Sequence, residues 1–139
     1  MTIRFIHTGD WHIAKPFHRF EEEKAALLRD ARVRIPERIG VLARDTGANA
    51  VLVAGDILDT RLPADATLRR LAARLAQYPE ITWHLLPGNH DPATPNGLWR
   101  RFEDLGRPDN VIVHHEAGAT RLAANAVLLA CPLNARHVS

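Results

Sequence analysis

Ala50-Val51-Leu52-Val53-Ala54-Gly55-Asp56 runs from a short apolar, β-branched segment straight into a glycine and a carboxylate. A run of this length with such a stop reads as a buried strand. The same pattern occurs upstream, where Ile3 to Thr8 leads into Gly9-Asp10, and downstream, where Ile81 to Leu86 leads into Pro87-Gly88-Asn89-His90-Asp91. The stretches between are helical in character. Phe20 to Thr46 is charged and amphipathic, but Pro36 cannot sit in a helix interior without losing a hydrogen bond and meeting the preceding turn. We therefore expect a kink or a second helix starting near Pro36 and closing at Gly47 as its C-cap. Ala64 to Tyr78 carries Leu68, Leu71, Ala72 and Leu75 at helical spacing. Asn96 to Leu105 reads as a short helix, and Val111 to His114 and Ala126 to Ala130 as further strands.

Apolar strands joined by helical crossovers predict an α/β fold, a largely parallel sheet with flanking helices that is covered on both faces. A chain of 139 residues fits one domain, residues 1–139, of ordinary size. Its 46% hydrophobic and 24% charged content excludes a disordered or fibrous chain. The longest apolar run, Ala126 to Cys131, is six residues, against the roughly 18 to 20 a membrane span requires. The start, Met1 to His7, lacks the basic and apolar regions of a secretory signal. Cys131 is the single cysteine, which fits a reducing compartment, so the expected location is the cytoplasm. A net charge of +2 names no partner, and Arg69-Arg70 and Arg100-Arg101 read as solvated helix faces.

In open parallel sheets, ligands gather beyond the carboxyl ends of the strands. Three polar clusters fall there. Asp10-Trp11-His12 alone reads as a turn aspartate and a surface histidine, and Gly55-Asp56 alone is a common turn. Gly88-Asn89-His90-Asp91 adds an amide carbonyl that suits a hard cation, an imidazole that moves protons near neutrality and a carboxylate. Together they deliver a mixed oxygen and nitrogen donor set to one sheet edge, suited to Mn²⁺, Fe or Zn²⁺ more than to Ca²⁺.

The series Asp10-x-His12, Gly55-Asp56-x-x-Asp59 and Gly88-Asn89-His90-Asp91 resembles the calcineurin-like metallophosphoesterases. The contexts His7 to Lys15 and Val53 to Thr60, with Pro63, are most similar to their DNA-repair exonuclease branch. The resemblance implies the calcineurin-like phosphoesterase sandwich and a site for two divalent metal ions, usually Mn²⁺. Asp10 and His12 would bind the first metal, Asp56 would bridge both and Asn89 would bind the second. His90 would face the substrate phosphate as a catalytic group, oriented by Asp91. Asp59 lies further along its turn, and is expected to hold the loop or a neighbouring ligand by hydrogen bonds. Two cations roughly 3.5 to 4 Å apart polarise a phosphoryl group and lower the pKa of water. The branch further implies DNA as substrate, a coiled-coil ATPase subunit as partner and a homodimer; from the short apolar runs, no membrane is expected.

The family pattern continues with a Gly-His and a Gly-His-x-His block that this sequence lacks, so the 139 residues are expected to be the amino-terminal part of a longer domain, incomplete at the carboxyl end. Of the later histidines, His114-His115 reads as a solvated loop pair, and His137 lies too near the last residue for a precise ligand role. His7 is expected to be buried and hydrogen-bonded, and Trp83 and His84 to be packing residues. Trp99 beside Arg100-Arg101 fits a nucleic-acid surface or an inward-packed helix equally. Arg61, Lys15, His18 and Arg19 lie near the blocks and are weaker candidates for phosphate contact. A phosphatase, a nucleotide phosphodiesterase and a non-catalytic scaffold subunit are the alternative functions.

Overall fold

The computed structural model describes residues 2–135. In chain order its elements are β1 (Phe5–Thr8), α1 (Glu22–Val33), α2 (Ile35–Thr46), β2 (Ala50–Ala54), α3 (Asp65–Ala76), β3 (Thr82–Leu86), α4 (Leu98–Asp104), β4 (Val111–Val113), β5 (Gly118–Ala123) and β6 (Ala126–Ala130). The charged stretch after β1 divides where the proline requires. Arg34 separates α1 from α2, and Pro36 occupies the first turn of α2, where no helical N–H is lost. Gly47 closes α2 in the left-handed conformation, at φ 68°.

Strands β1 to β4 form a parallel sheet in the order β1-β2-β3-β4. The register pairs His7 with Leu52, Leu52 with His84, and His84 with Ile112. Strand order follows chain order, and parallel crossovers are right-handed, so every crossover falls on the same face. Burial agrees. Val51, Val53, Trp83, Leu85, Val111 and Val113 are buried against Leu68, Leu71 and Leu75 of α3 and Trp99 and Phe102 of α4.

The opposite face departs from expectation. Phe5 is 48% exposed, and Leu52, Leu86 and Ile112 are only half-buried, so the sheet is fully covered on one side among the described residues. Part of this second face lies against β6, where Leu128, Leu129 and Ala130 share a small cavity with His7, His84 and His114. The segment Ala126–Ala130 is a strand, but it pairs antiparallel with β5 in a separate two-stranded sheet. β5 escaped the sequence reading because its residues, Gly-Ala-Thr-Arg-Leu-Ala, offer no fully buried face.

Three histidines sit differently from their sequence readings. His7 is exposed on the second face. His114 is buried, not solvated, with its Nε2 3.1 Å from His84 Nδ1. His115 pairs with Glu103 at 3.1 Å. His137 lies outside the described residues. No helix among the described residues is long and apolar enough to cross a membrane.

Candidate metal centre

The parallel sheet brings the exits of β1, β2 and β3 side by side, and the first two zip together. Asp10 N–H donates to the Gly55 carbonyl at 3.1 Å, His12 N–H to Asp56 at 3.0 Å and Ile13 N–H to Ile57 at 2.9 Å. Asp59 N–H returns to Ile13 at 2.9 Å. Asp10, His12 and Asp56 all adopt positive φ, near 50°, a conformation uncommon outside glycine that marks backbone held by its surroundings. The holding groups are the interleaved apolar residues. Trp11, Ile13, Ile57 and Leu58 are buried in the core, which leaves Asp10 and His12 free to face the site.

The β3 exit approaches through two glycines. A Cβ on Gly88 would lie 2.3 Å from Asp56 Oδ1, and one on Gly55, whose φ is 87°, would lie 3.1 Å from the Gly88 Cα. Asp91 locks this contact. Its carboxylate accepts N–H bonds from Gly88 at 2.8 Å, Asp56 at 3.1 Å, Ile57 at 2.8 Å and Leu58 at 3.0 Å. Trp99 Nε1–H donates to the Asp91 carbonyl at 2.7 Å, tying α4 to the same loop. Burial, with the Asp56 charge adding to it, raises the Asp91 pKa to about 6, against the Leu58, Gly88 and Ile57 N–H bonds that favour its charged form.

The expected roles of Asp91 need correction. With no exposed surface and both oxygens committed to backbone N–H groups, it neither touches a substrate nor orients the His90 ring. His90 is oriented by Asp56. The His90 N–H donates to Asp56 Oδ1 at 3.0 Å, and His90 Nδ1 lies 3.0 Å from Asp56 Oδ2. Burial pushes the Asp56 pKa up, but the His90 hydrogen bonds and the His90 and His12 charges together outweigh it, so the net shift is downward. Asp56 is therefore a carboxylate at neutral pH.

His12, Asp56 and His90 present ligand atoms that all lie within 4.8 Å of one another. The rings of His12 and His90 meet edge to face at 5.0 Å. Asp59 Oδ1 lies 2.7 Å from His12 Nδ1, which fixes the proton there and leaves Nε2 as a lone-pair donor, the usual arrangement behind a metal-binding imidazole. That Nε2 is 3.8 Å from Asp10 Oδ1. Asp10 itself is exposed at the rim.

Asn89 brings an amide from the third exit to the same carboxylate. Its side-chain amide lies 3.2 and 3.0 Å from the two Asp56 oxygens. Turned with its nitrogen inward, it donates to both. Turned with its carbonyl inward, it sets three oxygens facing one another, which is stable only around a cation. The donor set of two carboxylates, an imidazole and an amide carbonyl suits a divalent transition metal, and the residues present fit one.

Arg32 is a contributor that the sequence did not single out. From α1 its guanidinium donates to the carbonyls of Asp10 and Trp11, each at 3.2 Å, bracing the first loop. Only its long-range position gives it this role, and no local signal marks it. Arg61 shares a cavity of about 260 Å³ with Asp59 and His90, whereas Trp99 is buried and leaves no nucleic-acid surface with Arg100-Arg101. His7, His114 and His115 do not join the centre.

A centre of oxygen and nitrogen donors at the strand ends of a parallel sheet defines a candidate metal-binding protein. Similarity makes the class specific. The calcineurin-like phosphoesterase family profile matches residues 3–128, and the chain belongs to this family. Membership implies a divalent-metal centre. The chain is 36% identical over 97 residues to the D subunit of nuclease SbcCD from Rhodobacter capsulatus, covering 66% of this chain and 22% of that protein. It is 25% identical over 143 residues to the D subunit of nuclease SbcCD from Bacillus subtilis, covering 96% of this chain and 35% of that protein. The chain therefore spans between about a fifth and a third of the length of these curated relatives.

Proposed function

We propose that these residues form the amino-terminal part of a two-metal phosphodiesterase, served by Mn²⁺ and acting as a DNA-repair exonuclease at DNA ends. The observation that carries this reading is the oxygen and nitrogen cluster at three adjacent strand exits, with Asn89 turned onto the Asp56 carboxylate. Asp10 and His12 would hold the first metal, Asp56 would be shared by both and Asn89 would hold the second. When bound, such a pair polarises the phosphoryl group and lowers the pKa of water, so that hydroxide is available near neutral pH.

The protein groups supply position and protons. Asp59 keeps the His12 proton on Nδ1, and Arg32 keeps the first loop in place. Asp91 fixes the approach of the second and third loops through its four N–H bonds. His90, whose side chain is 36% exposed, faces the substrate phosphate and provides the proton that the leaving oxygen takes up. Arg61, lining the same cavity, adds positive charge.

The relatives are each named as one subunit of a nuclease, and this supports a partner for the parent protein. We take that partner to be a coiled-coil ATPase, with a homodimer and a cytoplasmic location. The test is Mn²⁺-dependent digestion of end-labelled DNA, set beside phosphomonoesters and cyclic nucleotides in one substrate panel. His90→Ala is expected to abolish digestion while Mn²⁺ binding survives. A second reading, favoured by the proximity of His90 to His12 and Asp56, makes His90 a ligand. In that case His90→Ala loses Mn²⁺ together with activity.

A further inference from the structure

The loop between β1 and α1 contains an aromatic and cationic patch that the metal centre does not use. Phe17 and Phe20 have ring centroids 6.3 Å apart, and Phe20 is 43% exposed. With Lys15, His18 and Arg19 they line a cavity of about 630 Å³, with Asp59 on its wall. We propose that this cavity is a nucleobase subsite, which takes the unpaired terminal base of a nucleic-acid strand whose phosphate lies at the metal centre. The proposal rests on the nuclease reading above and names how the strand end is held.

Four observations carry it. The loop is braced in an unfavourable shape. Ala14 and Phe17 have φ of 73° and 59°, which side-chain-bearing residues rarely adopt, and Arg29 holds the Pro16 carbonyl at 3.2 Å. Such bracing presents the rings without an ordering cost at the moment of binding. Each ring already has a cation over it. Arg32 lies 5.9 Å from the Phe17 centroid and Lys24 Nζ lies 5.0 Å from that of Phe20, so each ring is placed beside a positive charge on a surface where Phe20 is exposed.

The polar side chains are also available. Among the described residues, the side chains of Lys15, His18 and Arg19 make no hydrogen bond or ion pair. Lys15 and Arg19 supply positive charge for a phosphate backbone, while aromatic rings accept bases of any sequence. Asp59 marks the boundary between this cavity and the metal centre. It lies on the cavity wall, and its carboxylate is hydrogen-bonded at 2.7 Å to His12 of the centre. A nucleotide that straddles Asp59 has its phosphate at the metals and its base among the aromatic rings.

The test compares two single-stranded oligodeoxynucleotides, one ending in 2-aminopurine and one ending in an abasic site, titrated into the full chain with Mn²⁺. The expected result is tighter binding of the base-ended strand by about tenfold, with quenching of 2-aminopurine, as one stacked base contributes. Phe17→Ala and Phe20→Ala should each bring that ratio towards one, and Phe20→Trp should retain it. Circular dichroism establishes that the variants are folded. Equal affinity of the parent chain for the two strands overturns the proposal, as does a ratio that survives both alanine substitutions. Failure of the nuclease reading is read separately, as absence of Mn²⁺-dependent DNA cleavage by the parent chain. A base-dependent ratio sensitive to Phe17 and Phe20 supports the subsite in that case too.

Discussion

One methyl group at Gly88 should disable the proposed metal centre without replacing any of its ligand residues. An ideal Cβ there lies 2.3 Å from Asp56 Oδ1, 2.4 Å from the Asp56 nitrogen and 3.1 Å from its Cγ. Attractive contact between heavy atoms begins roughly 1 Å further out than the first two. The Asp56 backbone has little freedom to yield, because its N–H is bonded to Asp91 and its carbonyl to His12. The displacement must therefore fall on the β3 exit or on the Asp56 carboxylate, and both His90 bonds to that carboxylate are lost. Overpacking of this kind costs about 1 to 3 kcal/mol. Donors need to stay within about 0.5 Å of their productive positions. We therefore expect Gly88→Ala to weaken Mn²⁺ binding about 10- to 100-fold, the range found when supporting groups of metal sites are altered. Calorimetric titration with Mn²⁺, run beside thermal melting, measures both effects. Gly118→Ala is the control, since nothing lies within 4 Å of a Cβ there. If Gly88→Ala binds Mn²⁺ as tightly as the parent and melts at the same temperature, the contact does not shape the centre and the reasoning is refuted.

Asp59→Ala frees His12 Nδ1 and should lower Mn²⁺ affinity about 10-fold or more with little change in melting, while Asp59→Asn, which keeps an acceptor, should lose less. Asp91→Ala strands four buried N–H groups at about 1 to 3 kcal/mol each, so urea denaturation should show a loss of at least about 4 kcal/mol; a loss under about 1 kcal/mol would mean that water or another group replaces the carboxylate. His84 adds a pH dependence, because burial and then the neighbouring His114 lower its folded pKa from 6.5 to about 4. The unfolded chain takes up that proton first, so its contribution is complete above pH about 6.5 and is lost as pH falls towards 4. The shift corresponds to roughly 3 kcal/mol, and we take about 2 because a cavity adjoins the ring. Asp91, with its raised pKa, acts in the opposite direction between about pH 6 and 4. The measurement is therefore the difference in urea stability between the parent and His84→Leu at pH 7.5 and 4.5, and equal pH slopes would contradict the assignment.

The three strand exits were legible because each is a local pattern, an apolar run followed by glycine and a polar donor, and a parallel sheet necessarily places such ends together. Asp91 was not legible in the same way. Its position next to His90 suggested a side-chain pair, but three of its four N–H partners, Asp56, Ile57 and Leu58, come from a loop on another strand, and no local spacing encodes that approach. Arg32 is similar, since a helical arginine looks like any solvated one until α1 is laid over the first loop.

His114 is the instructive case, because its signal was present but depended on register. Once β3 and β4 pair with His84 opposite Ile112, side-chain alternation places His114, two residues on, on the face that His84 occupies. The two imidazoles then meet at 3.1 Å. Reading the segment as a strand end without its neighbour made the same histidine look solvated. The second face of the sheet repeats the point. Leu52, Leu86 and Ile112 are as apolar as the buried Val51, Leu85 and Val111, yet they are only half-buried. Apolar composition predicts cover on both faces; the strand order puts every crossover helix on one of them, and among the described residues β6 lies over part of the other. Composition records how much surface avoids water, whereas topology decides which surface the helices cover, and topology was the part that required the pairing of the strands.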